Sequence, residues 1–500
     1  MTSEQQSGAI TRPNILLITT DTQRTDTLHC MGSTFAFSPN IDRLAGEGVM
    51  FSRAYTASPA CMPARCSMMS GMHTPLHGCL ENGVMRYPDM PVFTDALKQL
   101  GYHTVMVGKT HFGEVPDSFD VKEIANGEKN QIRNDDFSNF FLKYGWPENS
   151  GWPNPVPEEY CLDSLITDRA LYHMERAGGS KQPFFVFCSL LSPHAPLDPP
   201  GRWAEFYRDR QIPPPHFGKD EWRGLPESLK RLCGIPRENR PENWLERMTE
   251  ARGNIADTAE PEEIIRYKQL YYSSAAFCDS LVGRLMDFLD KKGLREKTLI
   301  IFTSDHGQQY FDHGFNDKHN FYEETWRVPL ILSLPGTLPQ GKVCGFAGGT
   351  DIAPTIIGAA GGIYDAANGF DLFTPLSQGK EPPRTCAAAC IQQSMAVVTQ
   401  DWKLIFDLGN GEVRLFYLRK DKNEDFDVSA QPAYSKIREQ LEKALLLWRA
   451  SMLNTQELGR RMGEGGPVAK RAAGMLREIK GCDCELQLAK AAAFLTQEEL

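Results

Sequence analysis

The 500 residues carry 54 Lys and Arg against 64 Asp and Glu, a formal net charge of −10, and 41% of them are hydrophobic. This length holds a large core and two or more structural units, and the charge argues against capture of nucleic acid or a long, highly sulfated glycan by bulk attraction, so any positive field must be local. No apolar run is long enough to span a bilayer, and thirteen cysteines, an odd number without framework spacing, fit reduced thiols better than a disulfide scaffold.

Residues 1–11 have neither a basic start nor an apolar core and so do not read as a secretory signal, which makes the cytoplasm the expected compartment. The run Arg12-Pro13-Asn14-Ile15-Leu16-Leu17-Ile18-Thr19-Thr20-Asp21 predicts a strand buried on both faces, with Asp21 at its carboxyl end. Ligands of open parallel α/β sheets bind at that edge, although a solvated strand-end aspartate looks the same in sequence. Next comes Cys61-Met62-Pro63-Ala64-Arg65, followed by Cys66-Ser67-Met68-Met69-Ser70-Gly71. A cysteine so spaced from a proline and an arginine has the form of a processing signal; by residue type alone it is also a loop cysteine ahead of a helix whose first turn accepts Pro63.

Residues 93–100 look helical, and residues 101–113 predict a short alternating strand that places Lys109 and His111 on one face. The apolar Pro183-Phe184-Phe185-Val186-Phe187 leads to Ser192-Pro193-His194-Ala195-Pro196, where two prolines restrict the backbone around one histidine. Residues 277–290 have helical apolar spacing, and the strand predicted at 299–304 ends in Asp305-His306-Gly307, after which Lys318 follows in Asp317-Lys318-His319-Asn320. Two stretches, 115–160 with Trp146 and Trp152, and 202–262, read as irregular insertions; their aromatic faces suit sugar stacking as well as ordinary packing.

Strand and helix alternation predicts an α/β fold, a large mixed and mostly parallel sheet flanked by helices. From residue 385 the pattern changes to short strands at 396–399, 402–406 and 413–418, with Gly409-Asn410-Gly411 as a hairpin turn and a closing helix at 437–452. The expected division is a catalytic unit over 1–384 and a smaller C-terminal antiparallel-sheet subdomain over 385–500. Cys482-Asp483-Cys484 has no partner pair for a metal, and the stretch from Gly459 reads as a solvated tail or an oligomer contact.

Taken together over most of residues 12–430, these segments resemble the type I, formylglycine-dependent sulfatases of the alkaline phosphatase superfamily. The resemblance implies that Cys61 is oxidised to formylglycine (3-oxoalanine) by a maturation enzyme. It implies that Asp21, Asp305 and His306, joined by residue 61, hold one divalent cation, calcium first, with manganese or magnesium as alternatives. It makes Arg65, Lys109, His111, His194 and Lys318 the contacts to formylglycine and sulfate, with His194 as the acid for the leaving oxygen and His111 as the base that drives sulfate release. The hydrated aldehyde has two hydroxyls on one carbon: one attacks sulfur to give a covalent enzyme sulfate, and deprotonation of the other expels the sulfate. Serine and unmodified cysteine lack that second hydroxyl. Many sulfatases carry a second carboxylate after the first Asp, whereas this chain has Thr22.

The expected activity is hydrolysis of a sulfate monoester of a sulfated sugar or small molecule, without a nucleic-acid or membrane partner and with the oligomeric state open. The alternatives are a phosphonate monoester hydrolase or phosphodiesterase with the same nucleophile, which the Thr22 departure favours, and a non-catalytic binding protein in which Cys61 stays unmodified.

Overall fold

The apolar run after Pro13 forms a strand, Asn14–Thr20, with every side chain but that of Asn14 buried, in a computed structural model that describes residues 12–125, 154, 156–216, 260–314 and 316–452. It is β1 of a nine-stranded sheet with β2 (Val49–Tyr55), β3 (His103–Gly108), β4 (Val121–Ile124), β5 (Phe184–Ser189), β6 (Thr298–Ser304), β7 (Arg327–Val328), β8 (Leu330–Ser333) and β9 (Lys342–Gly348). The order is β4-β3-β5-β1-β6-β8-β2-β7, with β9 on β2. The five strands from β4 to β6 run parallel, and β8 joins β6 antiparallel. Apolar clusters cover both faces: Leu16, Ile18, Val186 and Phe302 pack on one side, and Ile15, Leu17, Phe185 and Ile301 on the other. Two buried faces are why these strands read as continuous apolar runs instead of alternating ones.

The parallel register brings the carboxyl ends of β1 and β6 level, since Thr20 pairs with Ser304. Asp21 and Asp305 leave the sheet side by side. The helix foreseen at 277–290 is the end of a longer one, Pro261–Lys291, opened by a capping box between Glu260 and Glu263 and by proline in its first turn. The stretch 115–160, read as irregular, contains β4, which pairs with β3. Its tryptophans at 146 and 152, most of 202–262, residues 1–11, Cys482, Cys484 and the stretch from 459 lie outside the described residues. Among the described residues no helix is long and apolar enough to cross a membrane, and none of the ten cysteines is in a disulfide.

A second, antiparallel sheet of four strands follows: β10 (Ala387–Ile391), β11 (Ser394–Val398), β12 (Trp402–Asp407) and β13 (Val413–Tyr417). The helix Ser435–Ser451 lays Ile437, Leu441, Leu445 and Trp448 on it. The two sheets are bolted together by a buried cation. Lys403 Nζ of β12 lies 2.7 Å from Glu323 Oε1 and 2.6 Å from Glu424 Oε1, and donates to the Phe321 carbonyl at 3.0 Å. Burial pushes the Glu424 carboxyl up to about 7 against the pull of Lys403. Truncation of Lys403 therefore leaves the buried Glu424 without its cation and takes one from the half-buried Glu323. We expect Lys403→Ala to lose about 3–5 kcal/mol of stability, read as a lowered denaturation midpoint, with Glu323→Gln in the same background recovering part of it.

Candidate active site

Cys61 is the first residue of the helix Cys61–Ser70 and is 2% exposed. The plainer of the two readings of its residue type put it in a loop ahead of the helix; the helix takes it in, because Ala60 supplies the extended cap and Pro63 needs no amide partner in the first turn. This sets Sγ at the positive end of the helix dipole. The Met62 amide donates to Asn82 Oδ1 at 2.9 Å, which fixes the entry to the helix.

Around Sγ the loops after four parallel strands converge. His306 Nε2 lies 3.1 Å from Sγ, and Lys318 Nζ donates to Sγ at 3.0 Å and to His194 Nε2 at 3.2 Å. His111 lies against the same sulfur, while its Nδ1 is buried with no hydrogen-bond partner among the described residues. Lys109 Nζ pairs with Asp21 Oδ2. Ligand atoms of Asp21, Cys61, Asp305 and His306 all lie within 4.8 Å of one another. All the site residues foreseen thus meet at one sheet edge.

Strand alternation is not what brings Lys109 and His111 together, however. β3 ends at Gly108, whose φ of 99° allows the chain to turn where a Cβ would lie 2.1 Å from the Ser189 carbonyl oxygen, and His111 is in the left-handed region at φ 45°. His194 likewise sits beyond a loop after β5 instead of at its end. Six of the eight non-glycine residues with positive φ among the described residues, namely Thr22, His111, Tyr310, Phe311, His313 and His319, belong to these loops. Backbone strain gathers where the side chains must converge. Gly307 serves the same end, because a Cβ there would lie 1.9 Å from the Glu324 carbonyl oxygen.

Arg65 is fully enclosed. Its Nε donates to Asp305 Oδ2 at 2.8 Å, Nη1 to Ser189 Oγ at 2.8 Å and the Lys109 carbonyl at 3.2 Å, and Nη2 to Asp21 Oδ2 at 3.4 Å. The guanidinium therefore orients both carboxylates, one helical turn below residue 61. Ser189 is a site residue that the sequence analysis did not single out; it ends its strand as Asp21 and Asp305 follow theirs, and that shared position was the available signal.

The electrostatics favour anions. Burial opposes ionisation of the Cys61 thiol, but Lys318, Lys109 and His306 outweigh it and hold the thiol well below its ordinary range. Burial likewise opposes ionisation of Asp21, and Lys109, His194 and Arg65 together outweigh it and hold the carboxyl well below its ordinary range. The sulfur stands where an oxygen of the modified residue would be. A divalent cation fits the donor set: two carboxylates and one imidazole suit a hard or borderline ion, and Asp21 Oδ1 is buried with no hydrogen-bond partner among the described residues, which is costly unless something binds it. Thr22 does not complete this set, since its hydroxyl is turned to Tyr310 at 3.3 Å.

Residues 13–363 match the sulfatase family model. This chain belongs to the sulfatase family. It is an enzyme, a sulfuric ester hydrolase of the alkaline phosphatase superfamily, and residues 311–451 match the model described as N-sulphoglucosamine sulphohydrolase, C-terminal. The sulfatase is 26% identical to the N-acetylglucosamine-6-O-sulfatase of Bacteroides thetaiotaomicron, with 87% of this chain and 86% of that protein covered. It is 28% identical to an arylsulfatase of Clostridium perfringens, over 92% of this chain and 98% of that one. In fold it is similar to the phosphonate monoester hydrolase of Agrobacterium radiobacter, at TM-score 0.76 and 22% identity, covering 88% of this chain and 96% of the other. A protein solved in complex with its substrate D-glucosamine-2-N,6-O-disulfate superposes at TM-score 0.71 and 22% identity, with 88% and 98% covered. The sulfatase family uses formylglycine and a divalent metal, and the buried group Asp21, Cys61, Asp305 and His306 could hold a metal ion.

Proposed function

We propose that this sulfatase hydrolyses the sulfate monoester of a short sulfated saccharide or small molecule, with formylglycine made from Cys61 by a maturation enzyme as its nucleophile. The observation that carries this reading is the enclosure of Cys61 by three basic side chains, Lys318, His306 and His111, with Lys109 behind them. A chain of net charge −10 with a local cluster of basic groups around one buried residue suits a small anion better than a polyanion. The relatives named for N-acetylglucosamine 6-sulfate and aryl sulfates support the substrate class. We assign the catalytic unit to residues 1–384 and the closing subdomain to 385–500.

Formylglycine, as its hydrate, would supply one hydroxyl to attack sulfur and a second whose proton, once removed, drives sulfate out. A divalent cation, calcium by the oxygen-rich donor set, would be held by Asp21, Asp305 and His306 and would supply charge to the sulfuryl oxygens and acidity to the attacking hydroxyl. Lys109 and Lys318 neutralise the remaining sulfuryl oxygens, preorganised by their carboxylate and sulfur partners. Arg65 keeps the two carboxylates in place. His194 donates Nδ1–H to the Ala195 carbonyl at 2.6 Å, so Nε2 is the nitrogen that faces the pocket. Engagement of Lys318 by sulfate frees that Nε2 to carry the proton to the leaving oxygen. His111, against residue 61, is placed to take the proton of the second hydroxyl.

These roles separate by leaving group. His194→Ala is expected to lose roughly 10²–10⁴-fold on an alkyl or sugar sulfate and far less on an aryl sulfate with an acidic phenol, whose departure needs little protonation. His111→Ala slows both alike, with a burst of released alcohol before slow turnover. Equal losses on both substrates in His194→Ala, with no burst in His111→Ala, would show the roles to be misassigned.

A second reading, hydrolysis of phosphonate monoesters or phosphodiesters, draws on Thr22, which removes one negative ligand, and on the fold shared with the phosphonate monoester hydrolase. Parallel kcat/KM values for a phenyl sulfate and a phenyl phosphonate decide between them. The sulfatase reading expects the sulfate to be preferred, and the reverse order overturns it.

A further inference from the structure

We propose that Tyr310 is a positioning residue for His194, acting through the carbonyl of Pro193, with Thr22 as the second member of the device. The inference rests on the proton-donor role given to His194 above. Tyr310 is fully buried and follows the Asp305-His306 pair on the loop after β6. Its hydroxyl lies 3.2 Å from the Pro193 carbonyl, as donor, and 3.3 Å from Thr22 Oγ1.

The direction of both bonds follows from chemistry. A carbonyl oxygen only accepts, so the single phenolic proton goes to Pro193, and the Thr22 hydroxyl must then donate to the tyrosine oxygen. Burial pushes the Tyr310 phenol well above its ordinary value, which keeps that proton on the oxygen. The ring itself is held by Tyr271, with centroids 3.9 Å apart, and Tyr271 hydrogen-bonds the Thr22 carbonyl at 2.9 Å.

The Pro193 carbonyl belongs to the peptide that enters His194. A bond that fixes this peptide plane also fixes the direction in which the His194 side chain leaves the backbone. The rest of the loop is pinned upstream: the Leu191 and Ser192 amides donate to Asp163 at 2.7 and 3.0 Å, and the Ser192 carbonyl accepts from the Asp21 amide at 3.3 Å. Downstream, among the described residues, the His194 ring hydrogen-bonds its own neighbour, Ala195, and Lys318, which substrate would draw away. Tyr310 is thus the contact that sets the ring's base from outside its own loop. The position after Asp21 has exchanged a ligand's role for this one: at φ 62° Thr22 turns its hydroxyl to Tyr310, tying the loops of β1, β5 and β6 together.

The test compares Tyr310→Phe with the parent enzyme on a sugar sulfate and on an aryl sulfate with an acidic phenol. Loss of one positioning hydrogen bond is expected to lower kcat on the sugar sulfate about tenfold and to leave the aryl sulfate within about twofold, with KM for both little changed. Thr22→Ala, which removes the donor to the tyrosine oxygen, is expected to shift the same ratio in the same direction by a smaller factor, and Thr22→Ser to restore it. Equal losses on the two substrates, or an unchanged ratio, overturn the proposal. If Tyr310→Phe does not fold, the ratio in Thr22→Ala decides alone, a shift supporting the proposal and none overturning it. His194→Ala in the same assay separates the layers. A leaving-group effect there with none in Tyr310→Phe removes only the positioning role, whereas none in His194→Ala removes the proton-donor reading and the positioning role with it.

Discussion

Cys61→Ala is expected to lower turnover of any sulfate ester by at least about 10⁴-fold, the scale seen when a covalent nucleophile is deleted. The substitution removes the one atom on which Lys318, His306 and His111 converge. Cys61→Ser is the sharper variant: it restores an oxygen nucleophile at the helix start but offers one hydroxyl instead of two, so a single round of alcohol release followed by arrest is expected. Peptide mass spectrometry of the active enzyme should find the aldehyde at residue 61 and an intact thiol at Cys66, since only Cys61 has Pro63 and Arg65 at the motif spacing. An active preparation in which every Cys61 peptide carries a free thiol would sink the mechanism.

The second large effect is expected at the carboxylates. Asp21→Ala and Asp305→Ala should each abolish stoichiometric binding of a divalent cation and cost roughly 10³-fold or more in kcat, the electrostatic contribution of a metal and its ordered ligands. The loss is double in each case. Removing Asp21 also takes from Lys109 its carboxylate partner, and removing Asp305 takes from Arg65 the nearer of its two carboxylates. Metal analysis of purified protein gives the readout independent of activity, and titration with calcium, manganese and magnesium while following the unfolding midpoint identifies the ion by its stabilisation. Unchanged metal content in both variants would place the cation elsewhere.

Much of this site is legible in the chain because it is written where strands end. A carboxylate directly after a doubly buried apolar run, as at Asp21 and Asp305, must emerge at the sheet edge, and a parallel sheet puts all such ends on one side. The cysteine motif is legible for another reason: a processing signal must be readable as a linear stretch. The main fold is equally open, since two buried faces force continuous apolar runs and covering helices force the 3.6-residue period. β10 escapes this logic. Its Ala387-Ala388-Ala389 has little strand preference, and only pairing with β11 makes it extended.

Other features had no sequence signal at all. Lys109 and His111 meet because the backbone turns through left-handed conformations after Gly108, not because a strand alternates, and such a turn depends on what packs against it. The burial of Lys403 between Glu323 and Glu424, the clasp of Arg65 on two aspartates and the Thr22-Tyr310-Pro193 chain all join residues far apart along the polypeptide. The sequence by itself determined the central parallel strands β1, β3, β5 and β6, the edge at which chemistry gathers and the residue types gathered there, because periodicity and strand ends are local properties. Only the tertiary structure decided which partners hold those residues, because a hydrogen bond between loops of different strands depends on ångström-scale register that no local pattern encodes.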